Sequence, residues 1–547
     1  MTFNWNNPYP TPRTPIFARN IVATSQPLAA QAGLRVMARG GNAVDAAIAT
    51  AAVLTMTEPC SNGLGADAFA IVWDGKQLHG LNASGISPAA WTPDYFRRKY
   101  GANPERDRPQ RGADSITVPG AVAGWSVLHA RLGHLPFSDV LAPAIDYAER
   151  GFAVSPNVQD KWTRATPLLK DEPGWAEHFL PGGRIPAIGQ HFTLPGAART
   201  LKQIADSRGE AFYRGDIAQA IAAHVQAHGG TMTAADLEAC WRFIHSDGWV
   251  GTISTPFAGH VLHEIPPNGQ GIAALGALGI LRHTDLADVI ARRGVDCTDV
   301  QHLMIEAMKL AFADTYEYVS DARFMRVGTA ELLDDGYLRE RARLIDPRRA
   351  GVVAAGTPPR GGTIYLATAD AGGMMVSFIQ SNYMGFGSGL VVPGYGISLQ
   401  NRGYGFSMDA ASPNVVGPHK RPFHTIIPAF LMKDGAPQMS FGIMGGNMQP
   451  QGHVQTLVRM LLGGQQPQAA CDAPRWKTME GLNLEVEATM PAATVDDLRA
   501  RGHRIISGVD TYMDFGAGQF IWRLGDPAVE GYVAASEPRR DGQAVGY

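Results

Sequence analysis

The chain has 547 residues, 45% hydrophobic and 18% charged, so it can bury a large core as one very large domain or two intimately joined ones. Its 47 basic residues nearly cancel its 50 acidic ones, no run of five or more like charges appears, and clusters such as Arg348-Arg349 and Arg539-Arg540 are only pairs, which argues against nucleic acid or an anionic membrane as the main partner. The four cysteines, Cys60, Cys240, Cys297 and Cys471, lie far apart with no C-x-x-C pair; they read as buried thiols in a reducing compartment, not as a zinc site or a disulfide framework.

Met1 to Arg19 carries Pro8, Pro10, Pro12 and Pro15 and no apolar core of a secretory signal, and no other stretch approaches the apolar length of a membrane span, so a soluble cytoplasmic protein is expected. Ser25 can cap a helix that begins at Pro27 and stops at Gly40-Gly41. Asn42 to Thr57 is small and apolar nearly all round, the pattern of a buried helix, and Pro59 ends it. Ala68 to Trp73, an Asp74-Gly75 turn and Leu78 to Ala83 read as a hairpin. Helical patterns follow at Ile217 to His228, Ala234 to Cys240, Ile272 to Leu281 and Gln301 to Tyr318. Gly351 to Gly362 is rich in Gly, Ala and Pro and reads as an exposed, mobile segment. Beyond it, Thr363 to Ala369 with Met374 to Gln380, and Ala429 to Met432 with Gln438 to Phe441, form two hairpins, which suggests layered helices and strands.

Three familiar motifs fail on inspection. His260-Val261-Leu262-His263-Glu264 has the wrong order for a zinc helix, and as a strand it puts its histidines on opposite faces. Gly385-Phe386-Gly387-Ser388-Gly389 lacks the third glycine and the helix of a dinucleotide loop, and no G-x-S-x-G elbow occurs.

Thr363 has a distinctive setting, with Gly361-Gly362 before it and a strand after it. The glycines can take backbone shapes that an attack by the threonine hydroxyl on its own preceding carbonyl would need. Such a cut frees an α-amine beside the hydroxyl, so one residue supplies nucleophile and general base. A threonine opening a strand is otherwise a structural residue. Gly445-Gly446, at the end of a strand and ahead of a helix read over Gln451 to Leu462, can aim two N–H groups at a developing oxyanion. The plain alternative is a tight strand-to-helix turn.

With these parts assembled, the sequence resembles the γ-glutamyltransferase (glutathione hydrolase) family from about Val22 to Gly542. The resemblance is carried by Gly40-Gly41-Asn42-Ala43-Val44-Asp45-Ala46-Ala47, Val118-Pro119-Gly120-Ala121-Val122-Ala123-Gly124-Trp125, Glu306-Ala307-Met308-Lys309 and Ala473-Pro474-Arg475-Trp476. It implies Thr363 as nucleophile, with Asp370 at the family's spacing, Ser381 as the supporting hydroxyl, and Gly445 and Gly446 as oxyanion donors. It further implies an α/β (α+β) fold, the four-layer αββα sandwich of N-terminal-nucleophile hydrolases, and no metal or organic cofactor. Residues 1–362 would be the large subunit and 363–547 the small one, a heterodimer from one precursor that could pair further into a dimer of heterodimers.

The departures fall in the pocket for a glutamyl group. The family's carboxylate-binding arginine is Ser84 here and its amine-binding aspartate is Gly405; its serine pair is His424 and Thr425, and its asparagine and glutamine are Tyr383 and Arg402. A glutathione hydrolase-like branch, including amidases for small acids such as oxamate, is more similar, and there Arg402 and His424 would bind a carboxylate. Arg402 could equally be a rim residue paired with a loop. Three functions stay open: an amide hydrolase or acyl transferase working through acyl-Thr363, an amidase or acylase for small carboxylate-bearing amides with no glutamyl preference, and an unprocessed, inactive ligand-binding relative.

Overall fold

The structure is a computed structural model that describes residue 4 and residues 8–11, 13–353, 362–506 and 515–547. Gly361 and residues 354–360 of the Gly-rich segment lie outside the described residues.

Two seven-stranded sheets face each other. One runs, in spatial order, Gln543–Gly546, Ile21–Thr24, Gly362–Ala369, Met375–Tyr383, Asp67–Trp73, Leu78–Ala83 and Trp249–Val250. The other runs Ile16–Ala18, Tyr532–Ser536, Ala517–Arg523, Ala436–Met444, Ala429–Lys433, His260–Glu264 and Ile253–Phe257. Every neighbouring pair in both is antiparallel.

Three apolar cores define the layers. In the first sheet Ile364, Leu366, Val376 and Phe378 pack outward under helices Pro27–Ala38, Ala43–Thr57 and Ala121–Leu132. Tyr365, Ala367, Phe69 and Ile379, at alternate positions, point inward and meet Phe430 and Ile521 of the second sheet. The second sheet turns Leu262, Leu431 and Phe441 outward against helices Gly271–Leu281, Thr298–Tyr318 and Met448–Leu457. The result is the expected αββα sandwich, and because helices cover both sheets their strands are apolar on both faces. All fifteen residues of Ala43–Thr57 are buried, which explains its Ala-rich composition, and Asn42 and Asp45 close a capping box at its start.

The strands on either side of the Gly362–Thr363 junction interleave. Gly362–Ala369 and Met375–Tyr383 lie between Ile21–Thr24 and Asp67–Trp73, and Ala429–Lys433 pairs with His260–Glu264.

Several details depart from expectation. Gln26, not Ser25, caps the first helix, accepting from the Leu28 and Ala29 N–H groups; the Ser25 hydroxyl is drawn instead to Glu58 Oε2, 2.5 Å away. The helix after Gly446 starts at Met448, three residues earlier than read, and widens to a π turn at Val458–Leu462. Cys297 is only half-buried, unlike the other three cysteines, and all four are free thiols.

Candidate active site

The Gly362–Ala369 strand enters the first sheet beside Met375–Tyr383, and the register shifts between Gly362 and Ile364. Across that shift Thr363 faces both Ser381 and Asn382, so the partner strand carries one extra residue, a bulge of the kind that re-aims side chains. Tyr383 closes it with a φ of +74°, a conformation few non-glycine residues adopt. Thr363, like Tyr365 and Ala367, points into the gap between the sheets and is buried. Its Oγ1 lies 3.1 Å from Ser381 Oγ. The Ser381 hydroxyl donates to the Gly362 carbonyl at 2.7 Å and accepts from the Tyr383 N–H at 2.8 Å.

Arg402 completes this group. It is fully buried, which corrects the picture of a rim residue. Nη1 donates to Thr425 Oγ1 at 2.9 Å, Nη2 lies 3.4 Å from Ser381 Oγ, and the guanidinium sits 4.1 Å from the centroid of the Tyr383 ring. Among the described residues Nε has no partner and the guanidinium forms no ion pair. Burial holds its pKa down to about 10 against the pull of Tyr383 and Asp67. Burial also lifts the Tyr383 phenol to about 12.

Asp67, which sequence reasoning missed, sits directly across from Ser381 on the adjacent strand. It is fully buried; Oδ1 accepts from the Gly85 and Gly120 N–H groups at 2.9 and 3.0 Å, and Oδ2 lies 3.2 Å from His424 Nε2. Both glycines are required by close approach: a Cβ on Gly85 would fall 1.5 Å from the Val118 carbonyl oxygen and one on Gly120 2.1 Å from that of Ala83. The Val118-Pro119-Gly120 motif thus serves to cradle this carboxylate. Burial raises the Asp67 pKa to about 6, against the lowering effects of Arg402, the two N–H groups and Arg421.

His424, expected beside Arg402 as a carboxylate binder, is fully buried. Burial, with Arg402 and Arg421 nearby, holds its pKa well below the usual histidine value, so the ring is neutral. Nε2 faces Asp67, Nδ1 accepts from the Ile426 N–H at 3.4 Å, and the ring packs edge-on to Phe69. Thr425 serves as the anchor of Arg402.

Gly445 and Gly446 end the Ala436–Met444 strand with φ of +124° and +57°, backbone that favours glycine. Among the described residues neither N–H donates to a protein acceptor, and helix Met448–Leu457 starts two residues beyond Gly446. Gln270 Nε2 ties this turn to Arg402's anchor by donating to the Gly446 and Thr425 carbonyls at 2.9 and 2.6 Å. The two strands approach closely here: a Cβ on Gly442 would fall 2.4 Å from the Tyr365 ring, two residues on from Thr363. Two neighbouring hydroxyls, N–H groups without a protein acceptor among the described residues and a guanidinium without an ion pair therefore lie at one end of the gap, a set suited to acyl transfer at a carbonyl.

The remaining positions play other parts. Asp370, at the far end of Thr363's strand, accepts from the Ala43 N–H at 2.8 Å and so caps the buried helix. Ser84 is buried, its hydroxyl donating to Asn82 Oδ1 at 2.8 Å, and Arg421 donates to the Ser84 and Asn82 carbonyls. Gly385–Gly389 folds around Phe386, which packs against Trp162, Trp175 and Phe179. Among the described residues one group has the makings of a metal site, His302, Glu306 and His503. Its donors are already engaged: His302 Nδ1 lies 2.9 Å from His503 Nε2, and Lys309 Nζ 2.7 Å from Glu306 Oε1.

Comparison with known proteins agrees with this geometry. The model of the gamma-glutamyltranspeptidase family matches residues 29–547. The chain is 35% identical to a glutathione hydrolase-like YwrD proenzyme of Bacillus subtilis, over 97% of this chain and 99% of that one. It is 32% identical to an oxamate amidohydrolase proenzyme of Klebsiella pneumoniae, over 95% and 97%. Among solved structures, a cephalosporin acylase from Bacillus halodurans superposes with a TM-score of 0.90 at 45% identity, covering 100% of this chain and 99% of that one.

Proposed function

The chain belongs to the gamma-glutamyltranspeptidase family, and from that premise we propose that it is a self-processing N-terminal-threonine amide hydrolase or acyl transferase for small amides bearing a carboxylate. Cleavage after Gly362 would free the Thr363 amine, giving a large fragment of residues 1–362 and a small one of 363–547. The amine takes the Thr363 hydroxyl proton as Oγ1 attacks the substrate carbonyl. The Gly445 and Gly446 N–H groups receive the oxyanion, the amine protonates the leaving nitrogen, and acyl-Thr363 then passes to water or to an acceptor amine. No metal or organic cofactor has a part in these steps.

The observation that carries the substrate assignment is Arg402: a buried guanidinium beside Ser381 with Nε unpartnered and no ion pair among the described residues. A buried charge of this kind is costly until an anion joins it, and a planar carboxylate is the anion its fork fits. Ser84 and Gly405 leave a glutamyl α-carboxylate and α-amine without the family's charged partners. Two relatives support the reading by their names: oxamate is a carboxylate-bearing amide, and a cephalosporin acylase acts at an amide.

The test is a panel of amides given to purified, cleaved protein: glutathione, a γ-glutamyl anilide, oxamate, an N-acyl amide with a free acyl-chain carboxylate, and the methyl ester of that amide. Carboxylate-only amides should exceed the γ-glutamyl compounds in kcat/KM by about ten- to hundredfold, and esterification should cost a similar factor. Glutathione turned over as fast as any other amide would overturn the assignment. Among the described residues no helix is long and apolar enough to cross a membrane.

A further inference from the structure

We infer that Arg402 is also a positioning residue for the self-cleavage step, polarising the Gly362 carbonyl through Ser381, so that one guanidinium serves maturation first and anion recognition afterwards. The inference rests on the reading of Thr363 as a nucleophile freed by a cut after Gly362.

The peptide to be cut is held against Ser381. The Gly362 carbonyl accepts from the Ser381 hydroxyl at 2.7 Å. With that proton committed, the 3.1 Å contact between Thr363 and Ser381 is a donation from Thr363. The Tyr383 N–H fills the other acceptor position of the serine oxygen at 2.8 Å. The order Thr363 O–H, Ser381 O–H, Gly362 C=O is a proton relay from the attacking oxygen to the attacked carbonyl.

The step balances without an outside base. Thr363 Oγ1 bonds to the Gly362 carbon while its proton passes to Ser381, and the Ser381 proton passes to the Gly362 oxygen. The Gly362–Thr363 C–N bond then breaks, the proton moves to the departing nitrogen, and an ester joins Gly362 to Thr363 Oγ1. Water hydrolyses that ester, leaving the Gly362 carboxylate, the Thr363 hydroxyl and a free α-amine that takes the released proton.

Arg402 enters because Ser381 must accept and release protons while partial negative charge passes over its oxygen. Nη2 lies 3.4 Å from that oxygen, so the guanidinium acts there chiefly as a fixed positive charge in a buried, low-dielectric site. Two contacts hold it in place: Nη1 on Thr425 Oγ1, and the face of Tyr383, whose own N–H is on Ser381. Among the described residues no other cationic side chain hydrogen-bonds to Ser381.

The experiment follows cleavage of freshly synthesised chain on a denaturing gel for wild type, Arg402→Met, Arg402→Lys and Arg402→Ala with added ethylguanidine. The expected result is cleavage about ten- to hundredfold slower in Arg402→Met, intermediate in Arg402→Lys, and partly restored by ethylguanidine in Arg402→Ala. Wild-type cleavage rate in a cooperatively melting Arg402→Met overturns the inference. Should that variant fail to fold, Arg402→Lys and Thr425→Val decide: slower cleavage in both supports it, and wild-type rates in both overturn it. Sequencing the wild-type small fragment separates the two levels, since a start elsewhere than Thr363 defeats the underlying reading whatever the variants do.

Discussion

The Arg402 guanidinium lies 4.1 Å from the centre of the Tyr383 ring, and Tyr383 holds that ring in place from a backbone φ of +74°. The strained residue therefore supplies a face for the charge as well as an N–H for Ser381. Tyr383→Phe keeps the ring and should leave KM for a carboxylate-bearing amide within about twofold of wild type. Tyr383→Leu removes the cation–π contact, and KM should rise about three- to thirtyfold. Steady-state kinetics on cleaved protein reads both, and equal values for the two variants would remove the ring from the account.

Thr363 is proposed to act twice, so its variants should separate the two chemistries by size of effect. Thr363→Ala should leave an intact chain with no turnover. Thr363→Ser keeps a hydroxyl and should retain some cleavage and some activity. N-terminal sequencing of the small fragment is the direct check, and an intact yet active Thr363→Ala chain would sink the mechanism.

How much of this was legible in the sequence depended on whether a residue's partners are local. The buried helix Ala43–Thr57 and the hairpin over Asp67–Ala83 are announced by their own composition and turns. Thr363 and the glycine pair are singled out by their local setting, and Ser381 by its position within the resemblance. Asp67 does not, because its partners Gly85, Gly120 and His424 come from three separate segments that only the fold assembles. Arg402 left a carboxylate binder and a rim residue equally open, because the groups around its guanidinium, Ser381, Tyr383 and Thr425, lie about twenty residues away on either side in sequence. The cap at the first helix was misassigned for a similar reason, since Glu58, remote in sequence, claims the Ser25 hydroxyl.

The oxyanion proposal rests on glycine backbone at Gly445 and Gly446, which makes it sensitive to any side chain. A Cβ on Gly445 would fall 2.8 Å from Gly516 Cα, and its φ of +124° is closed to ordinary residues. Gly445→Ala and Gly446→Val should each lower kcat by ~100-fold or more while changing KM less. Nearly full kcat in either well-folded variant would put the donors elsewhere.

Interleaving of the strands predicts how the cleaved protein behaves. Ile21–Thr24 and Asp67–Trp73 flank the two strands that follow the junction, and the gap between the sheets is filled from both fragments. Fragments of residues 1–362 and 363–547 should therefore co-elute in gel filtration after complete cleavage, and separate only under denaturing conditions. Separation in native buffer would mean that the pairing does not survive the cut.

Burial lifts the Asp67 pKa to about 6, which makes the site sensitive to pH. A carboxyl group raised in this way keeps its proton longer in the folded chain than in the unfolded one. Its contribution to stability is present at low pH and is lost as pH rises through about 6. The same ionisation bears on the site, because Asp67 is the acidic group acting on Arg402, while the facing His424 stays neutral and Arg421 adds positive charge. Above the transition the Asp67 anion competes with a substrate carboxylate for Arg402; below it the competition is gone. KM for a carboxylate-bearing amide should thus rise about three- to tenfold as pH increases from about 5 to about 7. In the same range kcat should rise as well, since the Thr363 amine, with an ordinary value near ~8, works as a base only when deprotonated. Asp67→Asn removes the titrating charge and leaves one side-chain oxygen for the Gly85 and Gly120 N–H groups. It should flatten the KM profile without abolishing the kcat profile, and a KM that still rises with pH in that variant would show that some other group sets it.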